Sequence, residues 1–231
     1  MRLKVMVSEA LVLALAAIAG AAAFAGDRSS QSSSGSMAGM HMQGATTHSA
    51  AAVTASDLRA LLGRQFGEHA VLAMNATNAG VSGSPTFPTI AKALDANSVA
   101  ISKSIGSVYG AGAAKTFLDG KFMWRDHIRF FVAYTTALAK HDKAGQAKAV
   151  ANLKRYTVVF GNFLATATGL PKLAVQNDLL GHVLELKNQL DAYAGKRYAK
   201  AASAYTAAYG HMFMTADLVA GAIAKQKNLK P

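Results

Sequence analysis

The chain has 231 residues, of which 52% are hydrophobic, so it is long enough for one or two domains with a sizeable core. It contains no cysteine, which excludes disulfides, thiolate metal sites, cysteine nucleophiles and haem attached through a C-x-x-C-H motif. The formal net charge is +12, with lysines spread over many segments, which predicts a solvated basic exterior and no specific nucleic-acid site.

The first 25 residues have the pattern of a secretory signal peptide. Arg2 and Lys4 precede an apolar run over residues 10–25, and residues 23–25 read Ala-Phe-Ala, an A-x-A cleavage signal. The run is short for a membrane span, which needs about 20 apolar residues, so cleavage is favoured over an uncleaved anchor. We therefore predict a periplasmic or extracellular protein that begins at Gly26 and has no transmembrane span.

Residues 26–54 are rich in Ser, Gly, Ala and Thr, which predicts a flexible tail. Residues 36–44 of this tail read Ser-Met-Ala-Gly-Met-His-Met-Gln-Gly. A solvated tail has no packing need for methionine, and thioethers with imidazoles are suitable ligands for Cu(I). The alternative is a chance cluster in a low-complexity segment. The predicted copper-capture residues are Met37, Met40, His41, Met42 and His48.

The rest of the chain shows helical periodicity and no convincing strand pattern. Short links between the segments favour an all-α fold, an antiparallel up-and-down bundle of about six helices (three helical hairpins) over residues 55–231. His69, His127 and His182 lie midway along the first helix of each hairpin, which indicates a weak internal repeat unless similar amphipathic hairpins produce it by chance. The predicted helices span residues 56–79, 89–109, 114–140, 145–168, 171–194 and 197–225.

Four of the five histidines in the predicted bundle lie on or beside apolar helical stripes. A single histidine is a poor indicator of a metal site, because hydrogen-bonded core histidines are commoner than ligands. Because four of them lie on or beside such stripes, the metal-site interpretation and the interpretation as core histidines have equal weight. Asp178 and Glu185 lie one turn to either side of His182, so we expect a carboxylate to fix the tautomer of that ring or to satisfy its N–H. We predict that at least two of these four residues share an internal pocket: His69, His127, His182 and His211.

Methionines one helical turn from two of these histidines favour copper over haem. Met123 precedes His127 by four residues and Met214 follows His211 by three, so each pair shares a helix face. A thioether beside an imidazole suits a compact soft ion, whereas bulky neighbours of His127 fill the slot that haem needs. We predict a site at His127 and His211, with Met123 or Met214 as thioether ligands and no haem-sized cavity beside them. A bundle that binds haem or another ligand is the alternative.

The residue patterns that several other kinds of site require are missing from the sequence. After the signal peptide the only glutamates are Glu68 and Glu185, and neither is followed by a histidine three residues later, which argues against a ferritin-like di-iron centre. No H-E-x-x-H, G-x-S-x-G or P-loop pattern is present, so we predict that the protein is not an enzyme. A cofactor-free interaction protein of the cell envelope is a further alternative.

Four motifs stand out in the predicted bundle: Gly67-Glu-His-Ala70, Ile105-Gly-Ser-Val-Tyr-Gly110, Trp124-Arg-Asp-His127 and Ala208-Tyr-Gly-His-Met-Phe-Met-Thr-Ala-Asp217. Over about residues 58–223 they resemble a family of exported, all-helical bacterial proteins. Some members of that family are labelled as copper amine oxidases, but those oxidases are much larger and mostly β, so the label implies no oxidase activity here. The resemblance implies that the histidines of these motifs, His69, His127 and His211, occur together as a set. The tail resembles Met/His-rich segments of exported bacterial copper-handling proteins, which favours copper handling or tolerance with a possible envelope protein partner.

Overall fold

A computed structural model of the chain describes residues 53–231, in which seven helices and no strand occur. The predicted signal peptide and the predicted capture residues Met37, Met40, His41, Met42 and His48 lie outside the described residues. None of the helices in the described range has the length and apolar character that crossing a membrane requires. The helices are α1 (Ala55–Ser82), α2 (Phe87–Tyr109), α3 (Ala111–Asp119), α4 (Trp124–Ala139), α5 (Lys143–Thr168), α6 (Lys172–Ala194) and α7 (Tyr198–Lys227).

Helix α1 begins with a capping box. The hydroxyl of Thr54 accepts a hydrogen bond from the backbone N–H of Asp57 at 3.0 Å. The carboxylate of Asp57 accepts one from the backbone N–H of Thr54, also at 3.0 Å. Two backbone donors that have no partner inside the helix are thereby satisfied. Thr54 is therefore part of the fold, and the predicted tail boundary at residue 54 is slightly too late.

The third predicted helix, residues 114–140, is two helices in the structure. Residues 120–123 separate α3 from α4, and Phe122 has a φ of 57°, which a helix interior does not allow. The carboxylate of Asp126 accepts a hydrogen bond from the backbone N–H of Phe122 at 2.7 Å. The prediction of one continuous helix is wrong here, because this local hydrogen bond stabilises a turn in front of α4.

The first predicted helix ends at residue 79, but in the structure Gly80 lies inside α1. A Cβ at this position would lie 3.0 Å from Thr135 and 3.4 Å from Phe87, so glycine permits close packing of α1 against its neighbours. The helix ends instead at Gly83, whose φ of 67° is the left-handed conformation of a helix C-cap.

Helix α1 lies at the centre of the bundle and contacts α2, α4, α6 and α7. Along α1, His69 comes before Gly80. Their partners on α4, His127 and Thr135, follow in the same order. Helices α1 and α4 therefore run parallel.

Helix α6 runs parallel to α1 as well. His69 lies beside His182, and further along both helices Gln189 Nε2 donates a hydrogen bond to Asn78 Oδ1 at 3.2 Å. The first helices of the three predicted hairpins are thus parallel neighbours. Their histidines consequently meet at one level of the bundle.

Helix α7 runs antiparallel to α1. Arg59 near the start of α1 pairs with Asp217 at 3.0 Å, whereas Gly67, further along α1, packs against Phe213 and Tyr209. Short links likewise make consecutive long helices antiparallel neighbours. The predicted all-α bundle of about six helices is confirmed, with the short α3 as an addition.

Because of the capping box, loss of the Thr54 hydroxyl should lower the stability of the fold by a measurable amount. Thr54→Ala should lower the free energy of unfolding by about 1 kcal/mol, the usual cost of removing an N-cap side chain. Thr54→Ser keeps the hydroxyl and should remain close to the wild type. Urea unfolding followed by far-ultraviolet circular dichroism measures both variants, and equal stabilities of the Ala and Ser variants would contradict a stabilising cap.

Candidate functional site

Three imidazoles from three different helices meet inside the bundle. His69 of α1, His127 of α4 and His182 of α6 are 0%, 2% and 4% exposed. The ring centroids of His69 and His127 are 5.4 Å apart, and those of His69 and His182 are 6.4 Å apart. These three residues are here called the histidine cluster. The sequence predicts a shared interior position for at least two of His69, His127, His182 and His211.

The closest polar contact in the histidine cluster joins two ring nitrogens. Nε2 of His69 and Nε2 of His127 are 3.4 Å apart. The Nδ1 atoms of His69, His127 and His182 are buried and have no hydrogen-bond partner within residues 53–231. Leaving a buried polar group unsatisfied costs about 1–3 kcal/mol, so the polar groups nearest to these rings matter for their stability.

Aromatic residues enclose His127. Its ring stacks on Tyr156 with centroids 4.8 Å apart and meets Trp124 edge-on at 5.0 Å. The indole N–H of Trp124 donates a hydrogen bond to Ser98 Oγ at 3.1 Å, which fixes that wall. Tyr156 lies on an apolar stripe of α5, which indicates burial but does not show that its ring contacts a histidine of another helix.

Burial keeps the histidine cluster uncharged. It lowers the pKa of His69 to about 4 and that of His182 to about 3, because a charged ring loses its hydration there. Burial, aided by the nearby His69 and His182, also holds the pKa of His127 well below its usual value. All three rings are neutral at pH 7, and neutral imidazole is the form that binds metal ions.

Two oxygen acceptors lie beside the closest pair. The amide nitrogen of Asn97 donates to Glu68 Oε2 and to a backbone carbonyl of α1, each at 3.0 Å. These bonds orient the amide and leave its buried Oδ1 without a partner in the described region. The side chain of Asn97 partly offsets the fall in the pKa of His69. The backbone of Trp124 partly offsets the fall in the pKa of His127. Ligand histidines commonly donate their second N–H to acceptors of this kind.

His211 is held by carboxylates at the edge of the cluster. Its Nδ1 lies 2.8 Å from Glu185 Oε2, and its Nε2 lies 3.2 Å from Asp178 Oδ1. The hydroxyl of Thr215 donates to the other oxygen of Asp178 at 2.9 Å. The hydrogen bond to Asp178, together with Glu185, raises the pKa of His211 to about 9 against the opposing effect of burial. His211, Asp178, Glu185 and Thr215 are here called the His211 clamp.

A glycine on α6 makes room for this clamp. Positions 178, 181 and 185 share one helix face because they are three and four residues apart. A Cβ at Gly181 would lie 2.9 Å from Cε1 of His211, so only glycine lets the ring sit between the two carboxylates. The expectation that Asp178 or Glu185 binds His182 is therefore wrong, because both carboxylates bind His211 across the helix interface.

The predicted copper site at His127 and His211 is not assembled in the structure. His127 pairs with His69, and both nitrogens of His211 are engaged by carboxylates. Met214 is 66% exposed, so it lies at the surface and outside the buried cluster. Met123 precedes the first residue of α4 and has an extended backbone, so helical spacing does not place it beside His127.

Two small cavities adjoin His127. One is lined by His127, Tyr156, His182, Asp178 and Thr215 together with apolar residues, and the other lies on the His69 side of the ring. Each offers about 20 Å³ to the centre of a water molecule. A single water needs about 10–15 Å³ on this measure, so these cavities fit a water or an ion and are far smaller than haem.

The cluster does not form a complete set of metal ligands as it stands. In the described part of the chain, no group of three or more His, Asp or Glu side chains is arranged to hold a metal ion. Comparisons with protein-family models, with curated proteins and with solved structures give no match. The chemistry of the site follows from its geometry: a close pair of neutral imidazoles, a third imidazole nearby, and a separate charged clamp.

The two histidine environments predict opposite effects of pH on stability. His69 and His182 have lowered pKa values, so their contribution is present above the ordinary value of 6.5 and is lost as pH falls toward about 4 and about 3. The pKa of His211 is raised from 6.5 to about 9, so its contribution is full below 6.5 and is lost as pH rises through about 9. In the wild type, the free energy of unfolding should therefore fall as pH rises from 6.5 through about 9. His211→Asn should remove this fall.

Urea unfolding at a series of pH values measures this slope. His141→Asn is the matched control, because His141 is exposed in a turn with a φ of 56°, a conformation that asparagine tolerates. The control should keep the alkaline slope of the wild type. An unchanged slope in His211→Asn would contradict the role assigned to the clamp.

Proposed function

We propose that this chain is an exported copper-handling protein whose bundle binds Cu(I) at the buried pair His69 and His127. The observation that carries the proposal is the 3.4 Å separation of their Nε2 atoms. Two imidazole nitrogens bound to one ion at about 2.0 Å lie about 3.3 Å apart at a tetrahedral angle and about 4 Å apart in a linear arrangement. The pair is thus spaced for ligation without a large movement of α1 or α4.

The surroundings of the pair support ligation. Both rings are neutral, and Asn97 Oδ1 and the backbone carbonyl of Trp124 are available to accept the Nδ1–H groups once Nε2 binds an ion. His182 supplies a third neutral imidazole whose Nδ1 has no partner in the described residues. A modest rotation of this side chain toward the pair would complete a three-nitrogen ligand set.

The choice of copper comes from both parts of the chain. Imidazole alone suits zinc, copper and nickel, and the nearby carboxylates that harder ions favour are engaged by His211. The tail adds thioethers, which select Cu(I) over Zn(II). In this proposal the tail captures the ion and the bundle holds it, in copper tolerance or trafficking in the periplasm or outside the cell.

Cu(I) titration of the bundle site tests the assignment of the pair. Met37, Met40 and Met42 are first replaced by leucine, so that the tail thioethers do not compete. In that background, His69→Asn or His127→Asn should weaken Cu(I) binding at least about tenfold, because one of two ligands is lost. Competition with a coloured Cu(I) chelator measures the affinity.

His141→Asn in the same background is the control and should bind as tightly as its parent. Circular dichroism before each titration shows that the variants retain their helices. Equal affinities for the His69, His127 and His141 variants would place copper elsewhere. Absence of binding by the parent would favour a cofactor-free interaction protein.

The tail makes a separate prediction in the otherwise unaltered chain. Replacing Met37, Met40 and Met42 with leucine preserves bulk and removes three thioethers, so the number of Cu(I) ions bound, or the affinity for Cu(I), should fall. Zn(II) binding should not change. Met214→Leu is a matched control, since it removes a methionine that is 66% exposed on the bundle. Unchanged Cu(I) binding by the triple variant would leave the methionines as chance composition.

A further inference from the structure

One of the two small cavities is lined by residues of both the His211 clamp and the histidine cluster. The side chain of Asp178 is 22% exposed and lines this cavity. Thr215, His182 and His127 line it too, and they are 6%, 4% and 2% exposed. Asp178 is therefore the most exposed of these four polar residues, and the other three are buried.

The polar residues of the lining suit a cation that passes inward. Most of the lining is apolar or aromatic, which makes the transfer of an unaccompanied ion costly. Asp178 offers negative charge, and His182, whose Nδ1 has no hydrogen-bond partner within residues 53–231, lines the same cavity as Asp178 and His127. Each of these groups can replace part of the hydration that the ion loses.

Both carboxylate oxygens of Asp178 already have a partner. One binds His211 at 3.2 Å and the other accepts from Thr215 at 2.9 Å, so a cation that approaches Asp178 meets these two residues. His211 also has a shorter contact of 2.8 Å with Glu185. The ring can therefore release Asp178 while it remains attached to α6.

We propose that Cu(I) reaches the His69–His127 pair past Asp178 and His182, and that His211 regulates this route by covering Asp178. The inference rests on the proposed function and assigns Asp178 a role in the rate of uptake. It predicts that Asp178 changes how fast the bundle loads with Cu(I), whereas His69 and His127 set how tightly Cu(I) is held.

Stopped-flow transfer of Cu(I) from a coloured chelator measures this rate in the full chain with Met37, Met40 and Met42 replaced by leucine. Asp178→Asn keeps the shape of the side chain and removes its charge, so uptake should slow by about tenfold, the lower end of charge effects on association. The equilibrium affinity should stay within about twofold of the parent, because the ion is held elsewhere. Asp217→Asn is the matched control, since it removes a carboxylate that is 62% exposed and pairs with Arg59, and its uptake should be unchanged.

A second variant tests the clamp in the opposite direction. Gly181→Ala places a Cβ 2.9 Å from the position of Cε1 of His211 and so displaces the ring, which should uncover Asp178 and speed uptake. Parent-like rates in both Asp178→Asn and Gly181→Ala would overturn the route. An equal loss of rate and affinity in Asp178→Asn would make Asp178 a ligand of the final site and would also overturn it. Absence of Cu(I) uptake by the parent would instead contradict the proposed function on which the route depends.

Discussion

The burial of three neutral imidazoles between three parallel helices is the constraint on which the centre of this protein depends. Desolvation lowers the pKa values of His69, His127 and His182, so the cluster packs without charge repulsion at neutral pH. The same burial leaves their Nδ1 atoms without partners in the described residues. An apolar core of similar volume would avoid that cost. In the proposed function this arrangement has a use, because neutral imidazole is the form that binds metal ions.

The fourth histidine shows how strongly the local environment decides the chemistry of one residue type. His211 lies 6.3 Å from His182 between ring centroids, yet its pKa is raised to about 9 because Asp178 and Glu185 bind its two nitrogens. A protonated ring with two carboxylate partners has no lone pair for a metal. Helix α7 thus contributes a charged clamp, while the neutral donors come from α1, α4 and α6. In the proposed function, the clamp is the control element and the buried pair is the binding element.

The sequence predicts the fold better than it predicts the site. Helical periodicity and loop residues identify the long helices, and the repeated position of His69, His127 and His182 anticipates three equivalent hairpins. The clamp depends on contacts between α6 and α7, and periodicity within one helix cannot show which of two helices a carboxylate faces. The place of Met123 has a similar origin, because a local hydrogen bond from Phe122 to Asp126 interrupts the predicted helix 114–140 and leaves Met123 just before α4. Gly181 was the missed signal, since glycine between two carboxylates on one helix face leaves room for a ring.

The central claim is that two buried imidazoles bind Cu(I), and X-ray absorption at the copper edge tests it most directly. The sample is the full chain with Met37, Met40 and Met42 replaced by leucine, loaded with one equivalent of Cu(I). The account predicts a nearest shell of nitrogen at about 2.0 Å, with the outer-shell scattering that imidazole rings produce. A nearest shell of sulfur, or a shell of light atoms without imidazole scattering, would contradict it.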